Sequence, residues 1–303
     1  MAPDLQRVIN SAFGVSLAAR LGRSLPRRLG YALADFVADR IARRRDLALV
    51  RAVRANQWVV RGEMLDKAAL DEAVHATLRH AARAIFDLYH YMHIPEAARR
   101  LIVLDPAVER LVRRPEFGGQ GLMLVGLHLS GFDLVMRWVC QQGLRPMILT
   151  LPNPQGGRRL EYEQRQRIGL NLVPASLEAL RHGVRHLRRG GLVLTGIDRP
   201  IPDPSARPRF FGRPAALPLH HIYLATKARV PVIIMAPQLQ ADGRYHLLAS
   251  DPIAMEPHPD RKAAVLRNAE NVLGLAERFI RAAPQQWSIS LPVWPETLAL
   301  VPD

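Results

Sequence analysis

From Gly121 onward, short apolar runs alternate with stretches of helical periodicity. The apolar runs fall at 121–127, 145–151, 191–198 and 231–240. Between them, apolar residues recur at spacings of three and four, which is typical of amphipathic helices. A chain that alternates in this way builds βαβ units. The pattern therefore predicts an α/β fold with a mostly parallel central sheet flanked by helices.

The first third of the chain has a helical pattern instead, from residue 4 to about residue 95. A first amphipathic helix is expected at 5–17, a second at 29–41 beside arginine clusters, and a third at 67–93. Helices whose apolar faces adjoin arginines can lie flat on anionic lipid. The alternative is that these faces pack against the rest of the protein, which we expect for the third helix.

No linker or repeat interrupts the pattern, so we expect a single domain over residues 1–303. We expect residues 1–95 to form its N-terminal helical, membrane-proximal part, and residues 96–303 to form its α/β core. Within the core, residues 241–243 predict a hairpin turn, and a long helix is expected over 261–282.

The charge and the hydropathy of the chain limit the classes of partner that it can bind. The formal net charge is +15, which attracts polyanions: nucleic acid, anionic lipid headgroups or phosphorylated substrates. No segment reaches the roughly 18 consecutive apolar residues of a membrane span, and the N-terminus lacks the pattern of a signal peptide. The single cysteine, Cys140, excludes an internal disulfide, and we expect it to be a small core residue.

The strongest local signal for chemistry is the turn after the first apolar run. His128 follows the run directly, and Asp133 lies in the first turn of the next helix. A carboxylate that faces the imidazole keeps one ring nitrogen protonated and leaves the other free to accept a proton. The alternative is structural: Ser130 and Asp133 have the spacing of a capping box, and His128 is then a hydrogen-bonded histidine at a strand end.

The sequence HLSGFD at 128–133 resembles the His-x4-Asp motif of the glycerolipid acyltransferase superfamily. Further stretches, in the same order along the chain, resemble the branch that contains the lipid A acyltransferases and the phosphatidylinositol mannoside acyltransferases. These stretches are SLPRRLGYALADFVADRIARR, RAVRANQW, YEQRQRIGLNLVP, SLEALRHGVRHLRRGGLVLTGID, RFFGRPA, HHIYLATKARVPVIIMAP and AAPQQW. The likeness covers residues 25 to 295.

The resemblance implies direct acyl transfer without a covalent acyl-enzyme. His128 is then the general base, and Asp133 orients it and stabilises the imidazolium. The donor is a thioester of coenzyme A or acyl carrier protein, which is a co-substrate, so no resident cofactor is expected. The acceptor is a hydroxyl of a membrane lipid, such as a lipid A precursor or a phosphatidylinositol mannoside. Ser130 does not lie in a Gly-x-Ser-x-Gly elbow, so we do not expect it to be a nucleophile.

Five further positions are candidates for substrate binding. Arg165 matches a position where the family commonly has arginine, and Asp198 with Arg199 stands where the family has an acidic residue at a strand end. Arg209 and Arg213 enclose two phenylalanines in a Pro-rich loop. Guanidinium groups there can hold a phosphate through paired hydrogen bonds. For each arginine, the alternative is a solvated or salt-bridged surface residue.

Two departures from the family pattern affect these expectations. Leu219, His220 and His221 stand where the family usually has a glycine, and no acidic residue or cysteine is spaced to complete a metal site with the histidines. The N-terminus is also less apolar than the usual anchor of the lipid A enzymes. We therefore expect peripheral attachment to an anionic membrane surface, at the cytoplasmic face of the bacterial inner membrane.

Two other functions are compatible with the sequence. One is a catalytically silent, lipid-binding relative, against which the presence of both His128 and Asp133 counts. The other is a nucleic-acid-binding protein driven by the positive charge. Aromatic residues make up only 6% of the chain and no nucleic-acid-binding motif is present, so we expect no nucleic-acid partner.

Overall fold

A seven-stranded sheet lies at the centre of the fold. The computed structural model describes residues 19–92, 94–113, 119–150, 162–163, 165–166, 170–202 and 204–302. The strands of the sheet are β1 (Ile102–Leu104), β2 (Leu122–Gly126), β3 (Met147–Thr150), β4 (Leu172–Pro174), β5 (Leu192–Gly196), β8 (Val232–Leu239) and β9 (Tyr245–Ala249). A separate two-stranded hairpin contains β6 (Arg209–Phe210) and β7 (Arg213–Pro214).

Helices precede the sheet and connect its strands. They are α1 (Arg27–Ala42), α2 (Ala48–Val60), α3 (Lys67–Tyr91), α4 (Pro95–Leu101), α5 (Pro106–Arg113), α6 (Phe132–Gln141), α7 (Leu177–Arg188), α8 (His220–Ala228) and α9 (Arg261–Ala282). The α/β fold with an N-terminal helical region is thus confirmed, and α9 has the predicted bounds. The helix predicted at 5–17 lies outside the described residues.

The strand order is β1-β9-β8-β2-β5-β3-β4, and every neighbouring pair except β8 and β9 is parallel. The antiparallel pair is joined by the predicted turn at 241–243, where Gly243 has a φ of 76°. Strand β2 is central and fully buried, between β8 and β5. Its carboxyl end therefore lies beside that of β5, at the edge where open sheets bind ligands.

Each face of the sheet packs against its own apolar cluster. Met123 and Val125 of β2 contribute to a core that includes residues of α8 and α9, whereas Leu122 and Leu124 contribute to a core that includes α6. Side chains of successive residues in a strand point to opposite faces, so a central strand buried on both faces is apolar throughout. This explains why the strands appear in the sequence as unbroken apolar runs.

The N-terminal helices pack mainly on one another. Gly30 of α1 lies against the ring of Phe86 of α3, where a Cβ atom would come within 2.0 Å of that ring. Helix α3 buries Leu70, Val74 and Phe86, as predicted for the third helix. Asp66 caps α3 by accepting a hydrogen bond from the Ala69 amide. Among the described residues, no helix is both long enough and apolar enough to cross a bilayer.

Candidate active site

His128 lies two residues beyond β2, at the carboxyl edge of the sheet. The Leu127 amide continues the ladder by donating to the Met235 carbonyl, and the Ser288 amide donates to the His128 carbonyl. The backbone of His128 is thereby fixed from two sides. Its side chain is 35% exposed, so the ring remains accessible from solvent.

The ring of His128 is held by Asp198, not by Asp133. Nδ1 of His128 lies 2.6 Å from Oδ1 of Asp198, and the His128 backbone amide donates to Oδ2 over 2.8 Å. Asp198 is fully buried just after β5, the strand paired with β2. We predicted that Asp133 holds this imidazole, whereas the structure has Asp198 in that position. Asp198, which we predicted to bind substrate, is instead buried against the histidine.

The Asp198 carboxylate makes His128 a stronger base. Burial lowers the pKa of His128, but the neighbouring Asp198 carboxylate outweighs this effect and raises the pKa above its usual value. Burial likewise acts to raise the pKa of Asp198, and the interaction with His128 overcomes it and lowers that pKa. Asp198 is therefore an acceptor at neutral pH. The proton of neutral His128 consequently lies on Nδ1, and the lone pair on Nε2 is left for a substrate.

Two glycines make room for the rings at this site. Gly126 and Gly196 end β2 and β5 and stand opposite each other in the sheet register. A Cβ atom on Gly196 would lie 2.8 Å from Cε1 of His128, and one on Gly126 would lie 2.5 Å from the ring of Phe132. The centroids of the His128 and Phe132 rings are 5.8 Å apart. Any side chain at either glycine would push the imidazole or its neighbour out of place.

Trp287 completes the surroundings of Asp198. Its indole Nε1–H donates to Oδ2 of Asp198 over 2.8 Å, and the side chain is buried. Asp198 thus accepts hydrogen bonds from the His128 ring, the His128 amide and Trp287, which compensates for burying its charge.

The segment that carries Trp287 and Ser288 is fixed by α2. The Gln57 amide donates to the Pro284 carbonyl over 2.8 Å, and the Asn56 amide donates to the carbonyls of Ile289 and Leu291. We did not predict roles for Asn56, Gln57 or Trp287. Their signal was present, because they lie in the RANQW and PQQW stretches on which the family resemblance partly rests.

Asp133 lies on the exposed side of the same turn. Its Oδ1 accepts a hydrogen bond from the Arg165 guanidinium over 2.6 Å, and both side chains are about two-fifths exposed, at 44% and 36%. The negative charge of Asp133 contributes weakly to raising the pKa of His128, whereas the positive charge of Arg199 opposes it. The structure thus brings Asp133, Arg165 and Arg199 to the rim around His128. Their substrate roles remain predictions.

The two arginines of the β6–β7 hairpin have structural partners. Arg213 forms a two-pronged ion pair with Glu63, which follows α2, and Arg209 donates to the Gly212 carbonyl within the hairpin. Among the described residues, the hydrogen bonds and ion pairs of these two arginines do not reach His128. The salt-bridged alternative therefore holds for Arg213. Phe210 and Phe211 pack against Trp287 and belong to the core.

The capping-box interpretation of Ser130 is wrong. Helix α6 begins at Phe132, its N-cap is Gly131 in the left-handed region with a φ of 76°, and no side chain caps it. The Ser130 hydroxyl is buried and has no hydrogen-bond partner among the described residues. A serine nucleophile needs a hydrogen bond to a base, and this hydroxyl makes none to the residues that the structure describes.

The other residues considered as a nucleophile or as metal ligands are Cys140, His220 and His221. Burial raises the pKa of the Cys140 thiol to about 11, which keeps it protonated. Burial lowers the pKa of His220 to about 4 and that of His221 to about 3, and His220 Nε2 lies 2.8 Å from the Thr195 hydroxyl. In the part of the chain that the structure describes, no three metal-ligating side chains cluster.

The arrangement therefore has the parts of a general base: an accessible imidazole nitrogen, a buried carboxylate on the opposite nitrogen, and cationic groups on the rim. The sequence profile of the bacterial lipid A biosynthesis acyltransferases matches residues 7–295. No curated protein matches the sequence. The match covers nearly the whole chain and includes every residue of the site described above.

Proposed function

Because this chain belongs to the bacterial lipid A biosynthesis acyltransferase family, we propose that it transfers a fatty acyl group from a thioester to a hydroxyl of a membrane lipid. His128 is the general base. The observation that carries the proposal is the contact between His128 Nδ1 and the buried carboxylate of Asp198. This contact leaves Nε2 as the proton acceptor on the accessible side of the ring.

The reaction follows from that geometry. The acceptor hydroxyl donates its proton to Nε2 while its oxygen attacks the thioester carbonyl. The tetrahedral intermediate collapses, the C–S bond breaks, and the imidazolium returns the proton to the departing thiolate. Asp198 stabilises the imidazolium between these steps, as a buried carboxylate does in other histidine-dependent transfers.

The arginines at the rim suit the charges of the substrates. Arg165 and Arg199 lie close enough to the turn to pair with Asp133 or to influence His128. Coenzyme A, the prosthetic group of acyl carrier protein, and most membrane lipids carry phosphate, which guanidinium groups bind in pairs.

Helix α1 supports a peripheral position on the membrane. Its outer face exposes an apolar stripe made of Leu29, Leu33, Phe36 and Val37, with exposures of 38% to 63%. Exposed Arg28, Arg40 and Arg43 adjoin the stripe. The two acidic residues of the helix face inward instead: Asp35 and Asp39 are paired with Arg83 and Arg79 of α3. An apolar stripe beside cations, with the acids neutralised, fits an anionic bilayer.

The function is tested by incubating the purified protein with acyl-CoA, acyl carrier protein thioesters and a panel of host lipids, and by measuring product masses. We expect an acylated lipid, and a loss of about 10²- to 10⁴-fold in kcat for His128→Ala, the usual worth of base catalysis. His128→Asn serves as a companion variant, because its amide can still donate to Asp198. Lipid binding without product from any donor would indicate the catalytically silent relative.

The membrane position is tested by sedimentation with phosphatidylglycerol vesicles. We expect Phe36→Glu to weaken binding at least about tenfold, because it removes the contact of an exposed aromatic ring with the bilayer and adds repulsion from the anionic lipid. Leu300→Glu, at a residue 56% exposed elsewhere on the protein, is the matched control and should bind like the wild type. Rising ionic strength should weaken the binding of the wild-type protein to the vesicles. Equal binding by both variants would remove α1 from this role.

A further inference from the structure

A polar cluster around a buried carboxylate connects helix α1 to the turn that carries His128. Asp87 of α3 is at its centre and is fully buried. Its Oδ2 accepts hydrogen bonds from the Tyr31 hydroxyl of α1 over 2.6 Å and from the Tyr245 hydroxyl of β9 over 2.9 Å. Arg27 of α1 donates to the Tyr31 hydroxyl over 2.8 Å and lies 3.8 Å from Asp87 Oδ1.

The cluster is held in one arrangement. Burial raises the pKa values of Asp87, Tyr31 and Tyr245, so both phenols remain hydrogen-bond donors at neutral pH. The Tyr31 ring is also contacted by the guanidinium groups of Arg27 and Arg83, 4.9 Å and 5.2 Å from its centroid. Hydrogen bonds that share a buried acceptor support one another, so the loss of one weakens the other.

At its far end, the cluster reaches the candidate active site through Tyr245. Gly131 is the N-cap of α6, three residues after His128 and two before Asp133. A Cβ atom on Gly131 would lie 2.4 Å from Cε1 of Tyr245, so the ring edge and the turn are in direct contact. The turn has a φ of 76° at Gly131 and no side-chain cap. The Tyr245 ring therefore limits where this turn can lie.

We propose that Tyr245 is a positioning residue for the turn between His128 and Asp133, and that Asp87 and Tyr31 make its position depend on helix α1. The inference rests on the proposed function in one respect only, namely that α1 is the helix that faces lipid. Since Arg27 and Tyr31 lie on the helix with the exposed apolar stripe, any shift of α1 on a bilayer changes the bonds to Asp87. Tyr245 passes that change to the turn.

Hydrogen exchange measured by mass spectrometry tests the link without an activity assay. The variants are Tyr31→Phe and Tyr245→Phe, which keep the rings and remove only the hydroxyls. Losing a hydrogen bond to a buried carboxylate typically raises local opening by about tenfold. We therefore expect about tenfold faster exchange at residues 127–135 in both variants, with exchange in α9 unchanged. Tyr223→Phe, at a tyrosine 45% exposed on α8, is the matched control and should change neither region.

The same exchange measurement is then repeated with vesicles of phosphatidylglycerol. The vesicles should slow hydrogen exchange at residues 127–135 in the wild type, and Tyr31→Phe should abolish this slowing. Wild-type exchange at 127–135 in Tyr31→Phe, or an equal rise in α9, would overturn the proposal. So would vesicle protection that persists in Tyr31→Phe, because this would indicate direct shielding. Where the lipid transfer assay is active, kcat should fall severalfold in Tyr31→Phe with KM unchanged. An inactive wild type would count against the proposed function alone.

Discussion

Asp133, in the first turn of α6, and Asp198, in the loop after β5, lie at the same edge of the sheet, and the fold uses their carboxylates in opposite ways. Asp198 is fully buried and accepts hydrogen bonds from the ring and amide of His128 and from Trp287. Asp133 is 44% exposed and is paired with Arg165. A buried carboxylate with fixed donors can set the orientation and the pKa of an imidazole. The half-exposed Asp133 carboxylate, paired with an arginine, influences His128 only through its charge.

Removing the charge of each carboxylate in turn tests whether Asp198 and Asp133 have different roles. We expect Asp198→Asn to lower kcat by about 10²- to 10³-fold, because the imidazole loses the acceptor that fixes its tautomer and stabilises its charged form. Asp133→Asn should lower kcat by about tenfold or less, because Asp133 affects His128 only through its charge. Its main effect should be on KM, because it leaves Arg165 without its ion pair at the rim of the site. Steady-state kinetics on both variants decide the matter. Equal losses in kcat would contradict the division of roles.

A smaller effect is expected from the donor behind Asp198. Trp287→Phe removes the indole N–H bond to the carboxylate while keeping an aromatic ring in the core. The free energy of unfolding should fall by about 2 kcal/mol or more, the usual worth of a hydrogen bond to a charged group. The loss in kcat should be only severalfold. Denaturant unfolding measures the change in the free energy of unfolding. The control is Trp294→Phe, because the indole nitrogen of Trp294 has no hydrogen-bond partner among the described residues.

Much of this architecture could be predicted because the signals are local. Apolar runs marked the strands, and spacings of three and four marked helices such as α9, since both patterns depend only on neighbouring residues. The position of His128 at the end of β2 followed in the same way. The capping-box prediction failed because Gly131, not Ser130, has the backbone conformation that starts α6.

The partner of His128 could not be found by local patterns. Asp198 is 70 residues away along the chain and becomes a neighbour only because β2 and β5 are adjacent in the sheet. Strand order is set by packing over the whole domain, which periodicity does not encode. A near-identical ending of the two strands, with Gly126 and Gly196 in register, was the available hint. Trp287 is farther still, and only its place in a family-like stretch marked it.

The most direct test of the claim that Asp198 makes His128 a general base is the titration of the His128 ring, which changes only the protonation of one side chain. NMR of ring-labelled protein should give a pKa above the ordinary value of about 6.5, because Asp198 raises it. Since the neutral imidazole is the base, kcat should increase with pH through this same pKa. In Asp198→Asn, both the NMR pKa and the rising limb should move to lower pH, and in Asp133→Asn they should move little. A pH profile that ignores the His128 titration, or a larger shift in Asp133→Asn, would contradict the account.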